Sequence, residues 1–146
     1  MNEIVSRTIG GNVLNGVRSS RLHWPEYLME AAELGLYMLY TCAAATLFQH
    51  PASPIRHIIV SDIGRRMLTG LAMGITEIAL VMSPWGRQSG AHFNPAVTFT
   101  FYRLGKVQSW DACFYVVAQF VGALAGVAIA AYALRGAPSN LAVHYA

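Results

Sequence analysis

The chain has 146 residues, of which 55% are hydrophobic and only 12% are charged, about half the charge of an ordinary soluble domain. Its length allows one domain. Its net charge of +3 comes from arginines in loops and in the N-terminal stretch, with no basic run interleaved with aromatics, so a nucleic-acid partner is not expected. Cys42 and Cys113 both fall inside apolar runs, where a thiol acts as a small hydrophobe, so neither a disulfide, a metal nor a cofactor is expected.

Residues 1–24 are polar and carry Arg7, Arg18 and Arg21. They read as a mobile cytoplasmic tail with room for a short helix. Residues 1–25 lack a continuous apolar core, so no signal peptide is expected. The apolar runs begin after Pro25, which suits a first helical turn. The first predicted span runs from Tyr27 to Phe48. Leu34 to Phe48 is uncharged, but Glu30 and Glu33 stand in the early turns. A carboxylate inside a membrane is a functional or packing site by default. Solvation near the interface is the competing reading, preferred for Glu33. His50-Pro51-Ala52-Ser53-Pro54 stops the helix, and Ile58 to Val60 reads as apolar loop packing.

A second span is predicted from Arg66 to Trp85. Gly70, Gly74, Glu77 and Val81 share one face by steps of four, three and four. Gly70 and Gly74 make a G-x-x-x-G pair, the spacing that lets helices approach closely. Glu77 therefore lies on a packed or pore-lining face, either as a pore carboxylate or as a glutamate hydrogen-bonded to a neighbouring helix. Ser89-Gly90-Ala91-His92-Phe93-Asn94-Pro95-Ala96-Val97-Thr98 follows. Asn94 is a good N-cap, Pro95 suits the first helical position, and Gly90 and Ala91 allow close backbone approach. From Pro95 the helix is predicted to end near Tyr102. Even extended to Arg103 it rises only ~13 Å, too short for a ~30 Å hydrocarbon core. The segment reads as a re-entrant half-helix with its positive end at Asn94.

Arg103-Leu104-Gly105-Lys106 is a basic turn that suits a helix C-terminus. The third predicted span runs from Asp111 to Leu134, and its 22 residues from Cys113 onward carry no charge. Gln119, Gly122 and Gly126 share one of its faces. Residues 136–146 form a tail. Three crossings place the termini on opposite sides. Six cations (Arg7, Arg18, Arg21, Arg87, Arg103, Lys106) against four (Arg56, Arg65, Arg66, Arg135) favour a cytoplasmic N-terminus. Ser89-Gly90 superficially suits an intramembrane serine protease. However, Arg87 occupies the position where G-x-S-G needs glycine, and the third span offers no histidine as base. No catalytic residue is expected.

The stretch from Ser89 to Thr98 resembles the signature loop of the aquaporin, or major intrinsic protein, family. That family carries water, and in some branches glycerol or other small neutral solutes. Glu30 to Cys42 is similar to the family's first helix and Ala118 to Ala123 to its third. The resemblance thus covers about Tyr27 to Leu134. It implies an all-α, multi-pass membrane protein that corresponds to one repeat, residues 25–135, with three transmembrane helices and one NPA half-helix. It also implies that the carbonyls of Gly90, Ala91 and His92 line a path through the bilayer. Asn94, in the Asn94-Pro95-Ala96 motif, donates to the passing solute at its centre. Gly74, 20 residues before Asn94, falls at a filter position, where the lack of an aromatic would widen the path. Glu30 would brace a re-entrant loop that in the family belongs to the second half. Gln119, Gly122 and Gly126 would support tight helix crossing. Glu77 is unusual where the family has an apolar residue, and Arg87 stands where it commonly has histidine. The family's selectivity arginine belongs to the other repeat, so no residue here inherits it. The chain is expected to be a truncated or half-length channel, with a homo-oligomer (a tetramer by resemblance) or a second half-channel as partner. The competing expectation is a non-conducting structural or assembly subunit that packs through its glycine faces, or an inactive fragment.

Overall fold

The structure, a computed structural model, describes residues 14–18 and 21–143. Every regular element among them is helical. Residues 14–18 form a helical turn before α1 (Trp24–Gln49), α2 (Pro54–Ile58), α3 (Asp62–Met82), α4 (Pro84–Ser89), α5 (Pro95–Arg103) and α6 (Ser109–Ala133), with a 3-10 turn at Ala137–Ser139. The expected N-terminal tail lies largely outside the described residues. The C-terminal segment is not a free tail as far as Val143, because Pro138 and Val143 are buried and the 3-10 turn packs against α1 and α6.

The frame is the pair α1 and α6, which make the most extensive contact in the molecule. At 26 and 25 residues both are long and apolar enough to cross a membrane. The buried stripe of α6 runs Asp111, Tyr115, Gln119, Gly122, Gly126 and Ala130, steps of three and four that mark one helical face. Glycine is required where the two backbones meet. A Cβ on Gly35 would stand 2.9 Å from the Gly122 carbonyl oxygen, and one on Gly122 or Gly126 would overlap the backbone of Ala31 or Gly35. Gly70 and Gly74, the pair predicted to mediate close packing, have no atom within 4 Å of a built Cβ. Their spacing matches a packing motif, but no described atom packs against them. The close-approach glycines between the two long helices are instead Gly35, Gly122 and Gly126.

The second predicted span begins earlier and ends earlier than expected. Ser61 caps α3 by accepting from Gly64 N at 3.2 Å, and Asp62 pairs with Arg65 at 3.0 Å and Arg66 at 2.8 Å. Arg65 is buried. It donates to the carbonyls of Ile59 and Val60 and to Gln49 Oε1, tying the end of α1 and the loop to α3. At the other end Pro84 cannot continue the helix hydrogen-bonding of α3. Ser83 both ends α3 and caps α4, accepting from Gly86 N at 3.0 Å. In the loop, Ile58 and Val60 point outward rather than packing.

Radially, the chain is inverted relative to a water-soluble fold. Glu30, Glu33, Thr98 and Gln119 are fully buried at 0% exposure, while Met67, Leu71, Ile75, Ile78, Phe120, Val121 and Leu124 are outward-facing and exposed. Charged and amide groups are costly to bury unless partnered, and a broad apolar exterior is unusual for a soluble monomer. Both features suit a hydrocarbon surround with polar bracing inside.

Candidate functional site

The loop between α4 and α5 is built residue by residue. Gly90 ends α4 with φ 96°, in the left-handed region that glycine enters without penalty, and Ala91 follows at φ 50°. Two consecutive left-handed residues reverse the chain into the fold. Ser89 stabilises the reversal. Its Oγ accepts from Ala91 N at 3.1 Å and donates to Glu33 Oε2 at 3.2 Å, while its carbonyl accepts from Tyr115 OH at 2.9 Å. Asn94 then starts α5, with Oδ1 accepting from Ala96 N at 2.9 Å, and Pro95 occupies the first turn.

Glu30 holds the segment. Its carboxylate accepts from His92 N at 2.8 Å, Phe93 N at 2.6 Å and Gln119 Nε2 at 2.7 Å. Gln119 also donates to Thr98 Oγ1 at 2.9 Å, and Thr98 Oγ1 lies 3.2 Å from His92 Nδ1. The His92 ring stacks on Phe101, with centroids 4.8 Å apart and planes 2° apart, and meets Tyr115 edge-on. Helices α1, α5 and α6 thus converge on two backbone amides. The partner of Glu30 is the loop of this same half, not one from a second half as expected. Glu33 is likewise not solvated near an interface. It is fully buried against Ser89, and its Oε1 has no hydrogen-bond partner among the described residues.

A cavity of about 370 Å³ opens beside the tip of α5. Ala91, His92, Asn94 and Pro95 form one side of it, with Glu77 from α3 and Tyr37 from α1 facing them. The carbonyls of Gly90, Ala91 and His92 accept no hydrogen bond among the described residues. Of the other residues singled out from sequence, Ala96 serves the cap of α5. Gly90 serves the reversal. Gly74 lies one turn from Glu77 in open space, and Gly122 and Gly126 lie in the α1–α6 seam. Sequence reasoning gave no bracing role to Thr98, Ser89, Tyr115 or Gly35. The signals were present but weak: Thr98 lies four residues after Asn94 and Gly35 four before Leu39, on faces that only the packing distinguishes.

These features define an all-α membrane protein, with two membrane-length helices braced by buried polar groups around a re-entrant half-helix. The family model of the major intrinsic proteins matches residues 17–145, and the chain belongs to that family. It is 43% identical over 63 residues to the lens fiber major intrinsic protein of Lithobates pipiens, covering 43% of this chain and 24% of the relative. It is 28% identical over 120 residues to Aquaporin-1 of Pongo abelii, covering 82% and 43%. Over 60 residues it is 45% identical to Aquaglyceroporin AqpS of Rhizobium meliloti (strain 1021), covering 41% and 25%. The chain therefore spans less than half the length of these relatives. No solved structure matches it.

Proposed function

We propose that this chain supplies one wall of an NPA-type conduit for passive movement of water and small neutral solutes such as glycerol, and that it is not an enzyme. The observation that carries this reading is the run of three unpaired carbonyls, Gly90, Ala91 and His92, leading to the tip of α5. Backbone acceptors inside a low-dielectric region need partners, and a file of water or polyol hydroxyls supplies them while losing little of its hydration. Asn94 spends Oδ1 on the helix cap, which leaves Nδ2 to donate to an oxygen at the end of that run. The positive end of α5 orients such an oxygen and opposes a cation at that point.

In this reading α3, 21 residues long, is the third transmembrane helix, and the N-terminus is cytoplasmic by the balance of cations. A second half-helix closes the conduit opposite Asn94. It comes from a second half, whether in a longer form of the same polypeptide, an oppositely oriented copy in a homo-oligomer or a companion half-channel, as inverted-repeat folds arrange it.

The test is osmotic water permeability and glycerol uptake of liposomes carrying the chain. Both are expected several-fold above protein-free vesicles. Permeability equal to that of empty vesicles, with the protein shown to be helical, would overturn this reading in favour of a non-conducting structural subunit or an inactive fragment. Asn94→Asp keeps the cap, since aspartate serves there as well as asparagine, but replaces the donor with an acceptor. Water permeability is expected to fall about tenfold with little change in melting temperature; unchanged permeability would remove Asn94 from the path. Gly74→Trp places an indole in the open space one turn from Glu77. The ratio of glycerol to water flux is expected to drop about tenfold, and a ratio that stays constant would show that this position is no filter.

A further inference from the structure

Two carboxyl groups of α1, Glu30 and Glu33, lie one helical turn apart inside the fold, both at 0% exposure. Glu30 holds the loop; the conduit reading leaves Glu33 without a task. Their neighbours serve them unequally. Glu30 accepts from three N–H donors, at 2.8, 2.6 and 2.7 Å. Glu33 receives a single bond, from the Ser89 hydroxyl at 3.2 Å, and its Oε1 has no partner among the described residues.

No cation offsets the pair. Glu33 forms no ion pair among the described residues. The groups around it are Glu30 on its own helix, Ser89 at the end of α4 and Tyr115 of α6, whose hydroxyl donates to the Ser89 carbonyl. Arg87, the cation of α4, is exposed, and Glu77 of α3 lines the cavity beside α5. The His92 ring is engaged by Thr98, Phe101 and Tyr115. Two carboxylates one turn apart in a dry interior do not both stay ionised. Three donors fix the charge on Glu30, so the proton resides on Glu33.

The surroundings also offer that proton a way in and out. Ser89 and Tyr115 line a cavity of about 390 Å³ whose other walls include His23, Glu26, Lys106 and Asp111. Ser89 thus touches both Glu33 and a space lined by groups able to give and take protons. It is also the pivot of the chain reversal, because its Oγ accepts from Ala91 N at 3.1 Å.

We propose that Glu33 is a proton-binding site whose occupancy latches the re-entrant segment. Protonated, it is neutral and keeps Ser89 seated under the two left-handed residues. Deprotonated, it repels Glu30 across one turn, and the repulsion is relieved by movement of Glu33 and Ser89 toward the polar cavity. Ala91 N then loses its acceptor and the reversal loosens. The inference goes beyond the conduit reading, and its test needs no transport measurement.

The experiment records the infrared C=O stretch of protonated carboxylic acid for the full chain in lipid vesicles, at about pH 6, where an ordinary glutamate is ionised, and at about pH 9. Glu33→Gln keeps the shape of the neutral acid without a titrating group. Glu33→Leu, which fills much of the same volume, is measured in parallel and is expected to behave as glutamine does. The unsubstituted chain is expected to show the band at the lower pH and to lose it at the higher, and both variants to lack this component throughout. A spectrum that is the same with and without the Glu33 carboxyl, or a band that does not titrate, overturns the inference. The latch is read from Ala91→Cys, made with and without Glu33→Gln so that the pH dependence of the thiol itself cancels in the ratio. Labelling by a membrane-impermeant reagent is expected to become about fivefold faster with glutamate than with glutamine between about pH 6 and about pH 9. A ratio that does not change with pH overturns the latch even where the band titrates.

Discussion

Glu30→Ala is expected to release the re-entrant segment and to destabilise the whole chain. The substitution removes the acceptor of His92 N, Phe93 N and Gln119 Nε2 at once, from a position with no solvent access. An orphaned buried donor costs about 1–3 kcal/mol, and lipid offers no water to repair it. Three such donors cost more than about 4 kcal/mol together, a large share of the stability of a single domain. Melting in detergent should fall by more than about 10 °C. A cysteine introduced at Ala91 should also become more reactive to a membrane-impermeant thiol reagent when Glu30 is absent. Glu30→Gln keeps one acceptor oxygen and should lie between the two. A Glu30→Ala protein that melts like the unsubstituted chain, with the same reactivity at position 91, would show that the two backbone amides find other partners and that Glu30 is not what holds the loop.

Gly122→Ala is expected to have an effect of similar size for a different reason. The added methyl would overlap the Ala31 carbonyl, which is backbone and cannot rotate aside. The helices α1 and α6 must separate, and overpacking of this kind costs about 1–3 kcal/mol or more. The seam is also coupled to the loop: Gln119 lies one turn before Gly122, and Glu30 is adjacent to Ala31. A wider seam therefore stretches the 2.7 Å bond between Gln119 and Glu30. The control is Gly74→Ala, which meets no atom within 4 Å. It gains up to about 1 kcal/mol of helix propensity. Melting should drop by roughly 10 °C for Gly122→Ala and stay level or rise for Gly74→Ala. Equal melting of the two variants would contradict the assignment of the close crossing to the α1–α6 pair.

These two substitutions also separate what could be read from the linear chain from what could not. Both glycine pairs, Gly70 with Gly74 and Gly122 with Gly126, have the same i, i+4 spacing. Spacing specifies a face; it does not say what lies opposite. The first pair was expected to pack and stands open, while the second carries the tightest backbone approach among the described glycines. Glu30 and Glu33 differ from an interfacial pair only through the loop that reaches them. Glu33 was therefore expected in solvent, whereas the fold buries it against Ser89.

The order of residues alone determined the helical class, the two long apolar helices, the family, and the short capped helix after Asn94. Each of these follows from local composition, capping chemistry or a contiguous motif, which do not depend on distant partners. Only the tertiary structure decided that Glu30 braces the loop of its own half, that Gly35, Gly122 and Gly126 form the seam, and that Glu77 lines the cavity beside the tip of α5. Those outcomes depend on contacts between residues dozens of positions apart. Helical periodicity tells which side chains travel together, but the crossing of α1 and α6 selects what they meet.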